Sequence, residues 1–221
     1  MTTVFVTSSG TGIGKTFVTL RLIAELAASG RRVRALKPVA SGFDATRPAD
    51  GDTGALLAAQ RLEPTAANLD AVSPWRFAAP LSPNMAAARE CRTVPFDALV
   101  AHCRAAGRSG DVTLIEGVGG VMVPLDGERT VLDWIAALEA PALLVVGSYL
   151  GTLSHSLTAA AALRARGVKI AGLIVSESEE QPVPAAETAA TLARFVAPVP
   201  VRVLPRAAPA PLLSLLEPHL R

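Results

Sequence analysis

The stretch SSGTGIGKT, residues 8–16, sets glycines, a lysine and a threonine in the order that polyphosphate binding requires. Gly10, Gly12 and Gly14 leave backbone N–H groups open to an anion, Lys15 can reach the outer phosphates, and the Thr16 hydroxyl can join a magnesium shell. The apolar run before the loop predicts a strand over Thr3–Thr7. The Ala/Leu-rich run after it predicts a helix over Lys15–Ser29, whose N-terminus faces the same anion. Strict spacing asks for glycine at position 9, where this chain has Ser9.

A magnesium–nucleotide site also needs carboxylates. Glu116 ends the apolar strand of VTLIEGVGG, and an acid at the end of a sheet strand is where a phosphate-loop protein holds its metal. Asp52, in DGDTGALL, is a second candidate, although an aspartate at that point also reads as a helix N-cap. Magnesium keeps few protein ligands, so Thr16, Asp52 and Glu116 are the expected metal set. A second cation, Lys37, opens KPVASG at the end of a predicted strand, beside the γ-phosphate position, with Ser41 just beyond it.

The elements that must position these groups follow from hydrophobic periodicity. Strands are predicted at Thr3–Thr7, Val33–Lys37, Val112–Glu116, Ala142–Gly147, Ile170–Ser176 and Val201–Leu204. Helices are predicted at Lys15–Ser29, Thr53–Gln60, Pro83–Arg89, Phe96–Ala106, Val131–Ala137, Leu153–Arg166 and Ala185–Val196. Near-continuous apolar strands alternating with helices imply an α/β fold, a doubly wound, mostly parallel sheet covered on both faces. Ligands then bind beyond the carboxyl ends of the strands, where the motifs above fall.

Composition narrows the classes. Of 221 residues, 50% are hydrophobic and 4% aromatic, which suits a buried core of Ala, Val and Leu. A net charge of +2 with scattered Lys and Arg gives little support to a nucleic-acid surface. Trp134–Leu150 is interrupted by Glu139 and Pro141, against a membrane span, and the N-terminus enters a strand without a leader pattern. Cys91 and Cys103 form neither a disulfide framework nor a metal motif, consistent with a reducing, cytoplasmic setting. The expectation is one domain over residues 1–221, with LPRAAPAP (204–211) tethering a short helix at Leu212–Glu217.

Taken in order along the chain, GTGIGKT, KPVASG, LSPNMAA (81–87), IEGVGG and YLGTLSH (149–155) resemble the dethiobiotin synthetases of biotin biosynthesis. The resemblance runs from residue 4 to about residue 176. It implies a homodimeric phosphate-loop ligase that joins 7,8-diaminopelargonate and CO2 at the expense of MgATP, giving dethiobiotin, ADP and phosphate. One amine becomes a carbamate, a carbamate oxygen attacks the γ-phosphate, and the second amine closes the ring on the carbamic–phosphoric anhydride. By resemblance Lys15, Lys37, Ser41 and Thr11 serve the chemistry, with Thr11, Lys37 and Ser41 also touching the diamine or carbamate. Nucleotide contacts fall on Gly12, Ile13, Gly14, Lys15, Thr16, Phe17, Glu116, Ser176 and Pro205. The distant substrate carboxylate falls to Leu150, Gly151 and Thr152 at the start of a helix, across a dimer interface.

The chain departs from the family at several points. Ser8 replaces the family's first loop glycine, Gly12 replaces a frequent loop acid, and Ser176 replaces an asparagine that faces adenine. His155 reads as a local hydrogen-bonder, His102 and Cys103 as structural, Met85 as packing, and Glu177–Gln181 as a solvated acidic loop. Two other classes compete. A partitioning-type switch ATPase would carry its signature lysine where Gly10 stands, and a glutamine-dependent phosphate-loop synthetase would need a glutaminase domain.

Overall fold

β1 (Thr2–Ser8) runs through the middle of a parallel sheet in a computed structural model that describes residues 1–108, 110–207 and 210–220. The chain continues through α1 (Lys15–Ala28), β2 (Val33–Leu36), β3 (Val39–Ser41), α2 (Gly51–Ala59), α3 (Ala66–Val72) and β4 (Trp75–Phe77). It then forms α4 (Pro83–Arg89), α5 (Phe96–Ala106), β5 (Val112–Glu116), α6 (Val131–Leu138) and β6 (Ala142–Val146). The last third is α7 (Thr152–Ala165), β7 (Ile170–Ser176), α8 (Ala185–Val196), β8 (Val201–Leu204) and two 3-10 turns, Leu213–Leu215 and Glu217–His219.

Among the described residues, the main sheet has six strands in the order β2-β5-β1-β6-β7-β8, every neighbouring pair parallel. From β1 the chain steps past β5 to β2, returns through β5, and then proceeds outward on the other side of β1. That reversal leaves a crevice at the carboxyl ends of β1, β2 and β5.

Strand alternation decides which core each side chain joins. Val4 and Val6 pack on one face with Val18, Leu22 and Leu26 of α1, whereas Phe5 faces the opposite core with Trp134. The Phe5 and Trp134 rings meet edge to face at 4.8 Å. In β6, Ala142, Leu144 and Val146 join the Phe5 side, and Leu143 and Val145 the α1 side. These fully buried side chains hold the strand ends, and so the site, in fixed register; truncating Phe5 to alanine would cost about 3–5 kcal/mol.

The predicted strands of the main sheet and the predicted helices form within two residues of the expected bounds, apart from the C-terminal one. Three short elements lacked a periodic signal. β3 and β4 pair in parallel as a separate two-stranded sheet, Val39 opposite Trp75, and α3 leads into β4. The helix expected at Leu212–Glu217 is instead two 3-10 turns, because Pro218 cannot donate the N–H that a continuing helix needs. Leu212, Leu215 and Leu216 still bury against the α1 face, and a Glu25 carboxylate oxygen accepts from the Leu212 and Leu213 N–H groups at 2.8 Å each. Residues 208 and 209 of the expected tether lie outside the described residues. No helix among the described residues is long and apolar enough to cross a membrane.

Candidate active site

Each charged group of the site sits at the end of an element whose core packing fixes it. Lys15 and Thr16 open α1, directly after Gly14, whose φ of 97° is left-handed. A Cβ at Gly14 would also come within 2.6 Å of Ser176 Oγ, so conformation and space both demand glycine there. Glu116 ends β5, completely buried between β2 and β1. Lys37 follows β2 directly; its N–H donates to the Val72 carbonyl at 3.0 Å, and Pro38 then turns the chain out of the main sheet into β3. Asp52 lies in the first turn of α2, and the helix N-cap is Asp50, so the N-cap reading of Asp52 is corrected. Leu56 and Leu57 anchor that helix, and Gly54 permits the Ala49 carbonyl to approach where a Cβ would lie 1.8 Å away.

These elements bring the charges together. The Thr16 hydroxyl donates to Glu116 Oε1 at 2.7 Å, and the Lys37 ammonium donates to the same oxygen at 2.6 Å. Lys37 also pairs with Asp52 Oδ2 at 2.6 Å. Among the described residues, Glu116 Oε2 is buried with no hydrogen-bond partner, as is the Ser41 hydroxyl at the end of β3. Lys15 Nζ lies 3.1 Å from Ser8 Oγ and 3.4 Å from the Gly10 carbonyl. Ser8, the residue that replaces a glycine of the resembled family, is thereby built into the loop: its Oγ lies 2.5 Å from the Gly10 carbonyl and 3.0 Å from the Gly119 carbonyl.

Burial and mutual charge set the protonation states. Burial pushes Lys15 down to about 8, Lys37 adds to that shift, and the Glu116 and Asp52 carboxylates oppose it. Burial also works against the Lys37 charge, but Glu116 and Asp52, through charge and hydrogen bonds, hold it above the usual lysine value. Asp52 would rise through burial; the charge and hydrogen bond of the Lys37 ammonium outweigh that and hold it below the carboxylate range.

Thr11, Gly12, Ile13, Gly14, Lys15, Thr16, Lys37, Ser41 and Asp52 line one cleft of about 620 Å³. Its further walls are Pro80, Leu81 and Pro83 on one side and Val118 and Val123 on the other, which makes a charged floor beneath apolar sides. Glu116 lies below the floor, reached through Thr16 and Lys37. Two carboxylates and a hydroxyl are hard oxygen donors suited to magnesium, and the bare Glu116 Oε2 is an oxygen for which such an ion would be a partner.

A second cleft of about 400 Å³ adjoins the loop, lined by Gly12, Ile13, Gly14, Phe17, Ser176, Glu177, Ser178, Glu179 and Arg206. Phe17 and Ser176 fall where the sequence places nucleotide contacts. Pro205 does not line this cleft; its neighbour Arg206 does, at a position that carried no motif. The acidic segment after β7 is also more than a solvated loop. Glu177 Oε2 accepts from the Arg206 N–H at 2.9 Å and Glu177 Oε1 accepts from Gln181 at 3.1 Å. Ser148 and Ser178 exchange backbone and hydroxyl bonds, each at 2.9 Å, and the Ser148 hydroxyl donates to Gln181 at 2.8 Å.

Leu150, Gly151 and Thr152 do not reach the first cleft within one chain. The Thr152 hydroxyl donates to the Gly147 carbonyl at 2.8 Å and its N–H to the Tyr149 carbonyl at 3.1 Å, so both its donors are committed to the loop. Leu150, by contrast, is 85% exposed. His155 shares a 3.0 Å contact with the Tyr149 hydroxyl, the local role expected of it. His102 Nε2 lies 3.1 Å from the Ala71 carbonyl, and burial raises the Cys103 thiol to about 12, so both are structural.

Comparison with known proteins gives the family and the fold. A family model described as an AAA domain matches residues 2–217. ATP-dependent dethiobiotin synthetase BioD of Methylobacterium nodulans is 50% identical over 210 residues, covering 92% of each chain. The protein of that name from Acidiphilium cryptum is 49% identical over 201 residues, covering 89% of each chain. That from Caulobacter sp. strain K31 is 47% identical over 208 residues, covering 93% of this chain and 89% of its own. The ATP complex of a Cyanothece McdA variant (TM-score 0.55, 15% identity, 94% of this chain and 84% of that one) shares the fold. So does the Thermotoga maritima cell division protein FtsY (TM-score 0.51, 17% identity, 100% and 68%). At those identities the two structures speak to fold alone.

Proposed function

The chain belongs to the ATP-dependent dethiobiotin synthetases, within the AAA-domain family, and we propose that it closes the ureido ring of dethiobiotin from 7,8-diaminopelargonate and CO2 with ATP cleavage. One observation carries the assignment of roles: a single cleft joins the phosphate loop to a second buried lysine and an unpartnered serine, and continues between apolar walls. A carbamate and a γ-phosphate repel each other, so their approach needs cations between them. Lys15 from the loop and Lys37 from the end of β2 supply that charge, an electrostatic and positioning role. Ser41, whose hydroxyl lacks a partner, hydrogen-bonds the carbamate, and Thr11 lines the diamine. The aliphatic chain of the diamine suits the Pro80, Leu81 and Val118, Val123 walls.

A carbamate oxygen attacks the γ-phosphorus as the β–γ bridging oxygen leaves with ADP. The second amine then attacks the carbamate carbon, and phosphate departs with the attacking oxygen. Thr16, Asp52 and Glu116 would hold magnesium, which supplies charge neutralisation on the phosphates. The base rests by Phe17 and Ser176, with Gly12, Ile13 and Gly14 beneath the phosphates.

We further place the distant carboxylate at Leu150, Gly151 and Thr152 of a partner protomer; the support is an exposed leucine just before α7. The reading is of a single-domain homodimer, and the free Cys91 and Cys103 favour a reducing, cytoplasmic setting. The relatives named above are all synthetases, which does not favour the switch-ATPase alternative.

The test is incubation with 7,8-diaminopelargonate, carbon-labelled bicarbonate, magnesium and ATP, read by mass spectrometry. Acid-stable label in a cyclic urea, dependent on both diamine and ATP, is the expected result. ATP hydrolysis without incorporated label would overturn the assignment.

A further inference from the structure

One oxygen of Glu116 serves two donors, Thr16 Oγ1 at 2.7 Å and Lys37 Nζ at 2.6 Å, and the same ammonium reaches Asp52 Oδ2 at 2.6 Å. The three side chains assigned above to magnesium are thus gathered around a lysine. The Lys37 side chain is 6% exposed and that of Glu116 is 0% exposed, so neither charge has water to stabilise it. Burying an unpaired carboxylate is costly, which makes this ammonium the counter-ion that allows Glu116 to lie beneath the cleft. Yet the chemistry needs the Lys37 charge at the carbamate and γ-phosphate. A lysine locked between two carboxylates is only partly available for that.

We propose that Lys37 is a displaceable internal cation: it neutralises Glu116 and Asp52 in the nucleotide-free enzyme, competes with a divalent ion for their oxygens, and is freed toward the reacting anions when they are taken. The inference rests on the reading of Thr16, Asp52 and Glu116 as metal ligands. Three features carry it. The ammonium is shared by both carboxylates at hydrogen-bond distance, and Glu116 Oε2 remains buried without a partner. Lys37 also lines the same cleft as Ser41 and Lys15, so a small rotation about its flexible stem moves the charge from carboxylates to cleft without leaving the site. Metal loading and the arming of Lys37 are then one event, which restrains ATP turnover before the metal–nucleotide complex is in place.

The test is metal binding without nucleotide, followed by the loss of the free Mn2+ signal in electron paramagnetic resonance. Lys37→Met removes the competitor at nearly the same length, and Lys37→Gln keeps a polar head should the methionine variant fold poorly. Either variant is expected to bind Mn2+ at least about tenfold more tightly than wild type, since the ion now relieves an uncompensated buried carboxylate. Thermal unfolding should show the same sign, with Mn2+ over chelator raising the Tm of the variant by more than that of wild type. Adding Glu116→Gln to Lys37→Met should abolish the gain. Equal or weaker Mn2+ binding in both Lys37 variants overturns the proposal, as does a gain that survives Glu116→Gln. The underlying metal assignment is tested separately. If Glu116→Gln alone leaves Mn2+ binding in the presence of ATP unchanged, the ligand set itself is wrong. If that binding falls but the Lys37 variants gain nothing, the displacement idea alone fails.

Discussion

The two clefts beside the phosphate loop are built on opposite principles. In the inner one, the buried charges of Lys15, Lys37 and Glu116 crowd together beside the half-exposed Asp52, with Glu116 Oε2 and the Ser41 hydroxyl left without partners among the described residues. At the outer one, Glu177, Ser178 and the Arg206 N–H of the lining and the adjoining Ser148 and Gln181 satisfy one another. Incomplete polar satisfaction in a buried place costs stability, so it persists where a ligand completes it. The inner cleft is therefore an incomplete electrostatic structure awaiting anions. The outer is a finished scaffold that presents shape and a few backbone groups to a base.

That contrast predicts a gradient of effects. Lys37→Met and Glu116→Gln should each lower kcat by about 10²–10³-fold or more, the size expected when a preorganised charge is removed. Nucleotide binding should survive Lys37→Met, as measured by fluorescence titration or calorimetry, while Glu116→Gln should shift the magnesium dependence. If Lys37→Met lost nucleotide affinity in proportion to turnover, its place at the carbamate would be wrong. Gly14→Ala forces a left-handed backbone and a 2.6 Å clash on the loop, and should abolish measurable ATP binding.

Ser41→Ala separates function from stability. Removing a buried hydroxyl without a partner should leave thermal stability equal or higher by up to about 1 kcal/mol while kcat/KM falls by about tenfold. A destabilised but active variant would break the distinction between the two clefts. The smallest effect belongs to the outer cleft, where Gln181→Ala should raise the KM for ATP by less than about fivefold and leave kcat near wild type, as loosening one neutral hydrogen-bonded loop removes about 1 kcal/mol.

Lys15 adds a dependence on pH. Its pKa is lowered to about 8 in the folded protein, against 10.5 ordinarily, so nucleotide-free enzyme loses the loop cation as pH rises through 8. The kcat/KM for ATP should therefore fall above that value. The linked stability has the opposite sign: between about 8 and 10.5 the unfolded chain retains a proton that the folded chain has lost, so the Lys15 contribution to stability grows with pH. Profiles of initial rate and of denaturant midpoint over that window should diverge. A parallel fall in both would point to general alkaline unfolding.

Much of the inner cleft was legible in the sequence because its groups sit at fixed places in motifs. Lys15 and Thr16 follow the glycines, Glu116 closes an apolar strand, and Lys37 opens KPVASG, so periodicity alone delivers them to one edge of the sheet. Asp52 was identified but not its setting. The helix begins before it, its start packs closely through Gly54 on the Ala49 backbone, and the Asp52 carboxylate pairs with Lys37, none of which a motif shows. The outer cleft was less readable. Arg206 follows a proline in a segment without periodicity, and the bonds joining Ser148 to Ser178 and Gln181 span about thirty residues. Thr152 shows what a motif does not carry: its hydroxyl and N–H bond the Gly147 and Tyr149 carbonyls of its own loop, a setting visible only in the structure. β3 and β4, three residues each, were too short to show any alternation, yet they carry Ser41 into the site.

The central claim is that the inner cleft brings a carbamate oxygen onto the γ-phosphorus. It is tested most directly by running a single turnover with 18O-labelled carbon dioxide, faster than label exchanges with water, and weighing the phosphate released. Attack by the carbamate predicts that each phosphate carries one oxygen derived from carbon dioxide. Phosphate whose new oxygen comes from water, at full turnover of the diamine, would contradict the account.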